Sequence, residues 1–178
     1  MPKDKRMRIL SEVDGPRPIH ADDVQENPYW QEDEAPQALP PGTPCQRRGH
    51  CCRASPGWFM PGQVEAAAAF LGLDPVAFIR RYLIVDAYDL DGRQVEVFAP
   101  VKLGRDGAPL VTPGTRVDRL YRIFRSPCVF FRDNGCQIYP VRPAECAAYL
   151  CSLPQEEHLS HREIAQAWAN NHDPNAAT

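Results

Sequence analysis

The stretch Cys128-Val129-Phe130-Phe131-Arg132-Asp133-Asn134-Gly135-Cys136-Gln137-Ile138-Tyr139-Pro140-Val141-Arg142-Pro143-Ala144-Glu145-Cys146 places one cysteine before a turn signal, one after it and a third just past a helix start. Asp133, Asn134 and Gly135 suit a three-residue hairpin loop with Gly135 left-handed, which pairs Arg132 with Cys136 and sets Cys128 near Pro140. Strands in that register separate Cys128 from Cys136 by about 13 Å, four residues at about 3.3 Å each. An undistorted hairpin therefore cannot give both thiolates to one zinc. Pro143 suits the first turn of a helix, which puts Cys146 in that turn, near free backbone amides that favour a thiolate. Cys128 and Cys146 can then meet. Cys151 follows Cys146 by five residues, about 140° round a helix at roughly 100° per residue, so it lies past the helix end or serves another site. Tyr139 and Arg142 are candidates to orient ligands or fix the turn through hydrogen bonds, and core packing explains Tyr139 equally well.

Upstream, a second cluster reads Cys45-Gln46-Arg47-Arg48-Gly49-His50-Cys51-Cys52. Thiolates this close, with a glycine that permits a tight turn, form a knuckle whose sulfurs and amides converge on a metal. Successive side chains diverge in most backbone geometries, so Cys51 and Cys52 are expected to serve different metals, or different irons of one cluster. A vicinal disulfide competes with that reading. His50 lies inside the knuckle and is a ligand or a bystander with equal weight.

The chain around these clusters is of 178 residues, enough for one ordinary domain that buries somewhat more than about 60% of its unfolded surface. A hydrophobic content of 43% is near the globular norm, and a mean hydropathy of -0.45 with no apolar run of membrane-spanning length indicates a soluble chain with no membrane partner. Met1–Leu10 is basic but lacks the apolar core of a secretory signal, so the cytoplasm is the expected compartment. Thiols stay reduced there, and seven cysteines, an odd number, read as metal ligands or reactive groups rather than as a disulfide framework. A net charge of -3 and a pI near 5.9 offer no basic face for phosphates, so nucleic acid is not an expected partner. A monomer is expected, with an unidentified protein partner open.

Residues 1–44 carry eight of the nineteen prolines and nine acidic against five basic residues, and read as a disordered acidic tail. Tyr29 and Trp30 within it are an aromatic pair able to dock on the body or on a partner. Residues 45–171 form the expected domain and 172–178 a flexible C-terminus. Pro61 opens an alanine-rich helix through Leu71, Gly72 ends it, and Asp74-Pro75 caps a second helix whose Val76, Phe78, Ile79 and Tyr82 make one apolar face. Alternation at Val95 and Val97, with Asp91-Gly92 and Asp106-Gly107 as turns, predicts short antiparallel strands. Arg116, Arg119, Arg122 and Arg125 are spaced three apart and read as a solvated helical face, or as an anion or partner site. Gln155–Asn171 reads as a surface helix on which His158 and His161 face solvent.

Taken together, Cys45–Cys52 resembles the CxxCGxCC opening of the YkgJ-like cysteine-cluster family, described as zinc- or iron-chelating domains, and Cys128–Cys146 resembles its closing CxFLxxxxCxIYxxRPxxC. The likeness includes the helical hairpin and spans about residues 45–151. It implies metal chelation by Cys45, Cys51, Cys52, Cys128, Cys136, Cys146 and Cys151, with zinc or iron, including a 4Fe-4S cluster, as cofactor. One position departs from the pattern: the family's second cysteine falls at Arg48, whose guanidinium stays protonated and cannot donate to a metal. Either His50 replaces it or that position stays open.

The expected fold is α+β: a small irregular mixed domain with a helical hairpin, short antiparallel strands and a cysteine-ligated metal centre. The expected function is metal binding with a structural or regulatory role. The alternative is an iron-sulfur-dependent enzyme or redox protein related to flagellin lysine N-methylase-type cysteine-cluster proteins. No nucleotide-binding glycine motif supports carrying over methyl transfer, and no catalytic residue is assigned.

Overall fold

A computed structural model describes residues 44, 45, 47, 49–149, 153 and 155–171. The expected disordered tail, including Tyr29 and Trp30, the flexible C-terminus, Arg48 and Cys151 lie outside the described residues.

The described chain is a mixed α+β domain. After a short helix α1 (His50–Ala54), two helices form the expected hairpin, α2 (Gln63–Phe70) and α3 (Pro75–Tyr82). Gly72 turns between them at φ 69°, a conformation that costs glycine little. Asp74 caps α3 by accepting the Ala77 N–H at 2.9 Å, with Pro75 at the first helical position. Phe78 on α3 is fully buried.

Two eight-residue strands follow, β1 (Leu83–Leu90) and β2 (Arg93–Pro100), paired antiparallel from Leu83 with Pro100 to Leu90 with Arg93. Asp91 and Gly92 both have positive φ, as a two-residue turn matched to strand twist requires. Val95, Val97 and Ala99 alternate inward on β2. The last helix, α6 (His161–Asn171), covers the sheet rather than lying loose on the surface, because Ile164, Ala165, Trp168 and Ala169 form a buried stripe. Trp168 meets Phe98 edge-on at 5.3 Å, and its indole N–H donates to the Phe59 carbonyl at 2.7 Å. No helix among the described residues is long and apolar enough to cross a membrane.

The arginine-rich stretch does not make one solvated face. Only Arg119–Ile123 is helical (α4), and Arg122 turns inward to make a two-pronged ion pair with Asp86, through Nε to Oδ2 and Nη2 to Oδ1, each at 2.9 Å. Arg116, outside the helix, pairs with Glu96. Five residues cannot hold four arginines three apart, and the carboxylate of Asp86, 2% exposed, needs a compensating charge. Asp118 caps α4 at one end by accepting the Tyr121 N–H. At the other end the buried ammonium of Lys102 donates to the carbonyls of Tyr121, Arg122 and Phe124 at 2.9, 3.1 and 2.5 Å, satisfying helix-end acceptors that would otherwise be orphaned.

Burial pulls the Lys102 ammonium down to about 8, against the opposing pull of Asp86. Between that value and the ordinary 10.5 the unfolded chain binds more protons than the folded one, so this group's contribution to stability rises with pH across that window. In Lys102→Met the titration is gone. The stability difference between the native protein and Lys102→Met is therefore expected to grow by about 3 kcal/mol from pH 8 to 10.5, read by urea unfolding. A difference independent of pH would show the ammonium is not desolvated.

Candidate metal centre

Beyond β2 the chain continues extended, and Val101 and Leu103 pair with the segment that carries Cys128: the Val129 N–H donates to the Val101 carbonyl at 3.0 Å and the Leu103 N–H to the Pro127 carbonyl at 2.8 Å. Helix α1 docks on the same segment, with the Cys128 N–H donating to the Cys52 carbonyl at 2.7 Å and the Ser126 N–H to the Ala54 carbonyl at 3.0 Å. Gly49 precedes α1 at φ 81°, and a Cβ there would lie 2.6 Å from the Phe131 ring. That close approach presses the first cluster onto the second.

The hairpin after Cys128 differs from expectation. Strands β3 (Phe131–Arg132) and β4 (Gly135–Cys136) pair Phe131 with Cys136 and Arg132 with Gly135, and the loop is the two residues Asp133 and Asn134, both left-handed at φ 51° and 55°. Asp and Asn tolerate that conformation, so the tighter two-residue turn replaces the three-residue loop. Cys128 lies outside β3, in an isolated antiparallel bridge to Lys102, and its carbonyl accepts the Phe131 N–H at 2.9 Å, so a turn separates it from β3. The expected strand separation between these two cysteines therefore does not apply.

A short 3-10 turn at Tyr139–Val141 leads to α5 (Ala144–Ala148), which carries Cys146. Gln63 fastens this helix to α2, its Oε1 accepting from the Met60 and Ala144 amides, each at 2.9 Å. Two consecutive amides then grip the start of α5. The Gly57 N–H donates to the Cys146 sulfur at 3.2 Å, and the Trp58 N–H to Glu145 Oε2 at 2.7 Å. A Cβ on Gly57 would meet the Cys146 nitrogen at 2.9 Å and its sulfur at 3.0 Å, so only glycine fits against this thiol.

These contacts bring Cys45, Cys51, Cys52, Cys128, Cys136 and Cys146, all of the described cysteines, to the lining of one cavity of about 60 Å³. Arg47, Tyr139 and Arg142 line it too, and among the described residues no Asp or Glu does. Both guanidiniums lie over the Tyr139 ring, each 3.9 Å from its centroid, and Arg142 also donates to the Tyr139 carbonyl at 2.7 Å. Tyr139 thus fixes both cations at the cavity rather than filling the core.

The described cysteines are all free. The Cys51 and Cys52 sulfurs, expected to diverge, are 4.0 Å apart, too far for a disulfide and close to the roughly 3.8 Å between two sulfurs on one tetrahedral zinc. Helical backbone with both side chains rotated to one side produces this pairing. The Cys52 thiol hydrogen-bonds to Cys51 and holds it down near 6, assisted by Arg142, while Cys52 itself is pushed up by the same bond. Burial pushes Cys128 up to about 12 and raises Cys136, and it holds Cys146 well above its ordinary value. The free amides at the start of α5 do not make Cys146 a thiolate, because desolvation outweighs the Gly57 bond. Deprotonating these buried thiols requires a compensating cation.

His50, at the first position of α1, is not among the residues lining the cavity. Among the described residues no three His, Cys, Asp or Glu side chains stand close enough to hold one ion as they are placed. The thiols share a cavity without closing on a point.

His161 was expected in solvent, yet its ring stacks on the Trp58 indole at 3.9 Å and its Nε2 is 3.0 Å from Glu145 Oε1. Neither Glu145 nor Gly57 stands out in the sequence. The available signal for His161 was the buried stripe of α6, which fixes which side of that helix faces the body.

No protein-family profile matches the chain, and no characterised protein or solved structure matches it.

Proposed function

We propose that the protein binds zinc or iron, the latter including an iron-sulfur cluster, through its cysteine cluster, and that the bound centre has a structural or regulatory role. The observation that carries this reading is the single cavity on which Cys45, Cys51, Cys52, Cys128, Cys136 and Cys146 converge. Its volume of about 60 Å³ suits an ion or a compact cluster and is far below the roughly 300 Å³ at which organic-molecule sites begin. The chemistry of the lining fits as well. Thiols are soft donors suited to zinc and iron-sulfur centres. Arg47 and Arg142, with no carboxylate among the described lining residues, favour a centre whose thiolates leave it net negative. Such a centre would cross-link the segment from Cys45 to Gly57 with that from Cys128 to Cys146, adding covalent-strength links to the hydrogen bonds and the Arg47–Tyr139 stacking that already join them.

The enzymatic or redox alternative draws support from a different feature. A cleft of about 220 Å³ is lined by Cys51, Gly57, Glu145, Cys146 and Tyr149, giving a small molecule a route to two of the thiols.

Anaerobic purification followed by zinc, iron and acid-labile sulfide quantification tests the reading. Stoichiometric zinc, or iron with sulfide, is expected, and a folded preparation containing neither overturns it. Gly57→Ala crowds the Cys146 sulfur and removes no ligand, so it is expected to weaken metal retention about 10- to 100-fold under chelator challenge, as loss of a ligand-orienting contact does.

A further inference from the structure

A groove of about 760 Å³ lies on the other side of Glu145, lined among others by Tyr88, Glu145, Tyr149, Leu159, His161 and Arg162. Its volume falls within the roughly 300–1,000 Å³ of small-molecule sites. Glu145 and Tyr149 also line the smaller cleft that reaches Cys51 and Cys146, so the two spaces share a wall.

Two aromatic groups line the groove. In one, Tyr88 meets Trp58 edge-on at 6.1 Å, and the His161 ring lies flat on the same indole at 3.9 Å. In the other, the Tyr149 ring is tilted against His158 at 4.4 Å and is 39% exposed. A flat apolar body between such walls gains offset or edge-on ring contacts beyond simple burial.

The polar group at this site is fixed in orientation. Stacking on Trp58 sets the plane of the His161 ring, and Glu145 Oε1 sets its rotation by engaging Nε2 at 3.0 Å. A carboxylate only accepts, so in its neutral form the imidazole carries its hydrogen on Nε2 and keeps a lone pair on Nδ1. The two ring nitrogens point apart, which turns Nδ1 away from Glu145. The side chain of His161 is 39% exposed and lines the groove. An acceptor such as a carboxylate would face both the Nδ1 lone pair and the nearby Glu145 charge. Arg162 does not offset this, because its guanidinium is already held by both oxygens of Asp91 at 3.1 and 2.7 Å. The site therefore asks for a ring that brings a hydrogen-bond donor.

We propose that this groove binds a small phenol, its ring between Tyr88 and Tyr149 and its hydroxyl donating to Nδ1 of His161. The proposal does not depend on a metal at the cysteines.

The test uses the full chain labelled with 15N-histidine, titrated with 4-methylphenol, toluene or 4-methylbenzoate while the His161 ring resonances are followed, with metal content measured separately. The expected result is saturable movement of the His161 Nδ1 signal with 4-methylphenol at a Kd of about 1 mM, and binding of toluene about three- to tenfold weaker, one hydrogen bond's worth. His161→Phe, which keeps a ring on Trp58, should bind 4-methylphenol and toluene equally. Equal affinity of the native protein for the two probes, tighter binding of 4-methylbenzoate, or no movement of the His161 signals would overturn the proposal. The comparison of probes on the native protein decides it even if His161→Phe does not fold. An absence of metal would count against the cysteine reading alone.

Discussion

Replacing Cys146 by alanine is expected to abolish stoichiometric metal and, with it, cooperative unfolding of the domain. Cys146 is held by the Gly57 amide, stands next to Glu145, and sits on a helix anchored through Gln63, so the mutation removes a fixed donor rather than a mobile one. Structural zinc in small peptides is worth roughly 10 to 16 kcal/mol of apparent binding energy, as much as the roughly 5 to 15 kcal/mol that holds an ordinary domain together. If the centre is shared by the two clusters, loss of one donor lowers affinity and stability at once. The measurement is metal content beside a thermal or urea transition, compared with the native protein before and after chelation. A Cys146→Ala protein with full metal content and an unchanged midpoint would falsify the shared centre. So would a chelated native protein as stable as the loaded one.

A comparable loss is expected from Asp86→Ala, for a reason unrelated to metal. Asp86 is 2% exposed, makes two bonds to Arg122, and accepts the Ala87 N–H at 2.8 Å. Its removal strands the inner part of the Arg122 guanidinium and takes a favourable charge away from the buried ammonium of Lys102. Breaking a buried pair on one side costs about 3 to 5 kcal/mol. Arg122 retains 31% exposure of its side chain and can recover some hydration, which places the expected cost near 3 kcal/mol in urea unfolding. The exposed pair of Arg162 and Asp91 is the contrast: Arg162→Ala should change little measurable, since solvent screens both partners. If the two substitutions have the same effect, the Asp86 pair is not buried in solution.

What could be read beforehand divides along physical lines. The α2–α3 hairpin and the Asp91-Gly92 turn were legible because their signals are local: a proline and an aspartate at a helix start, a glycine at a helix end, alternation on β2. The convergence of the two cysteine clusters was legible only through the resemblance and the need for enough donors. The details that shape the cavity were not. The loop at Asp133 and Asn134 misled because two loop lengths suit the same three residues, and a one-residue change in register moves every side chain beyond it. The separation inferred for Cys128 and Cys136 lost its basis, since it assumed strands where the chain turns. Asp86 with Arg122 and Lys102 with the end of α4 are long-range pairings, and no spacing announces them. His161 was read from its own neighbours, whereas its position is set by Trp58 and Glu145, distant in the chain.

Cys52 and Cys128 are joined by a 2.7 Å backbone hydrogen bond but separated by 76 residues of chain. On a ribosome adding roughly 5 to 20 residues per second, the first three cysteines wait about 4 to 15 s before Cys128 has even been made. For that interval the adjacent Cys51 and Cys52 thiols stand without the walls that Cys128, Phe131 and Cys146 later supply. A nascent chain in that condition is open to oxidation and, if the proposed centre forms, to capture of the wrong ion, so the yield of correctly loaded protein would then depend on the redox state and the metal supply at the moment of synthesis. Slowing translation between Gly57 and Cys128 should lower that yield without altering a single residue of the finished molecule.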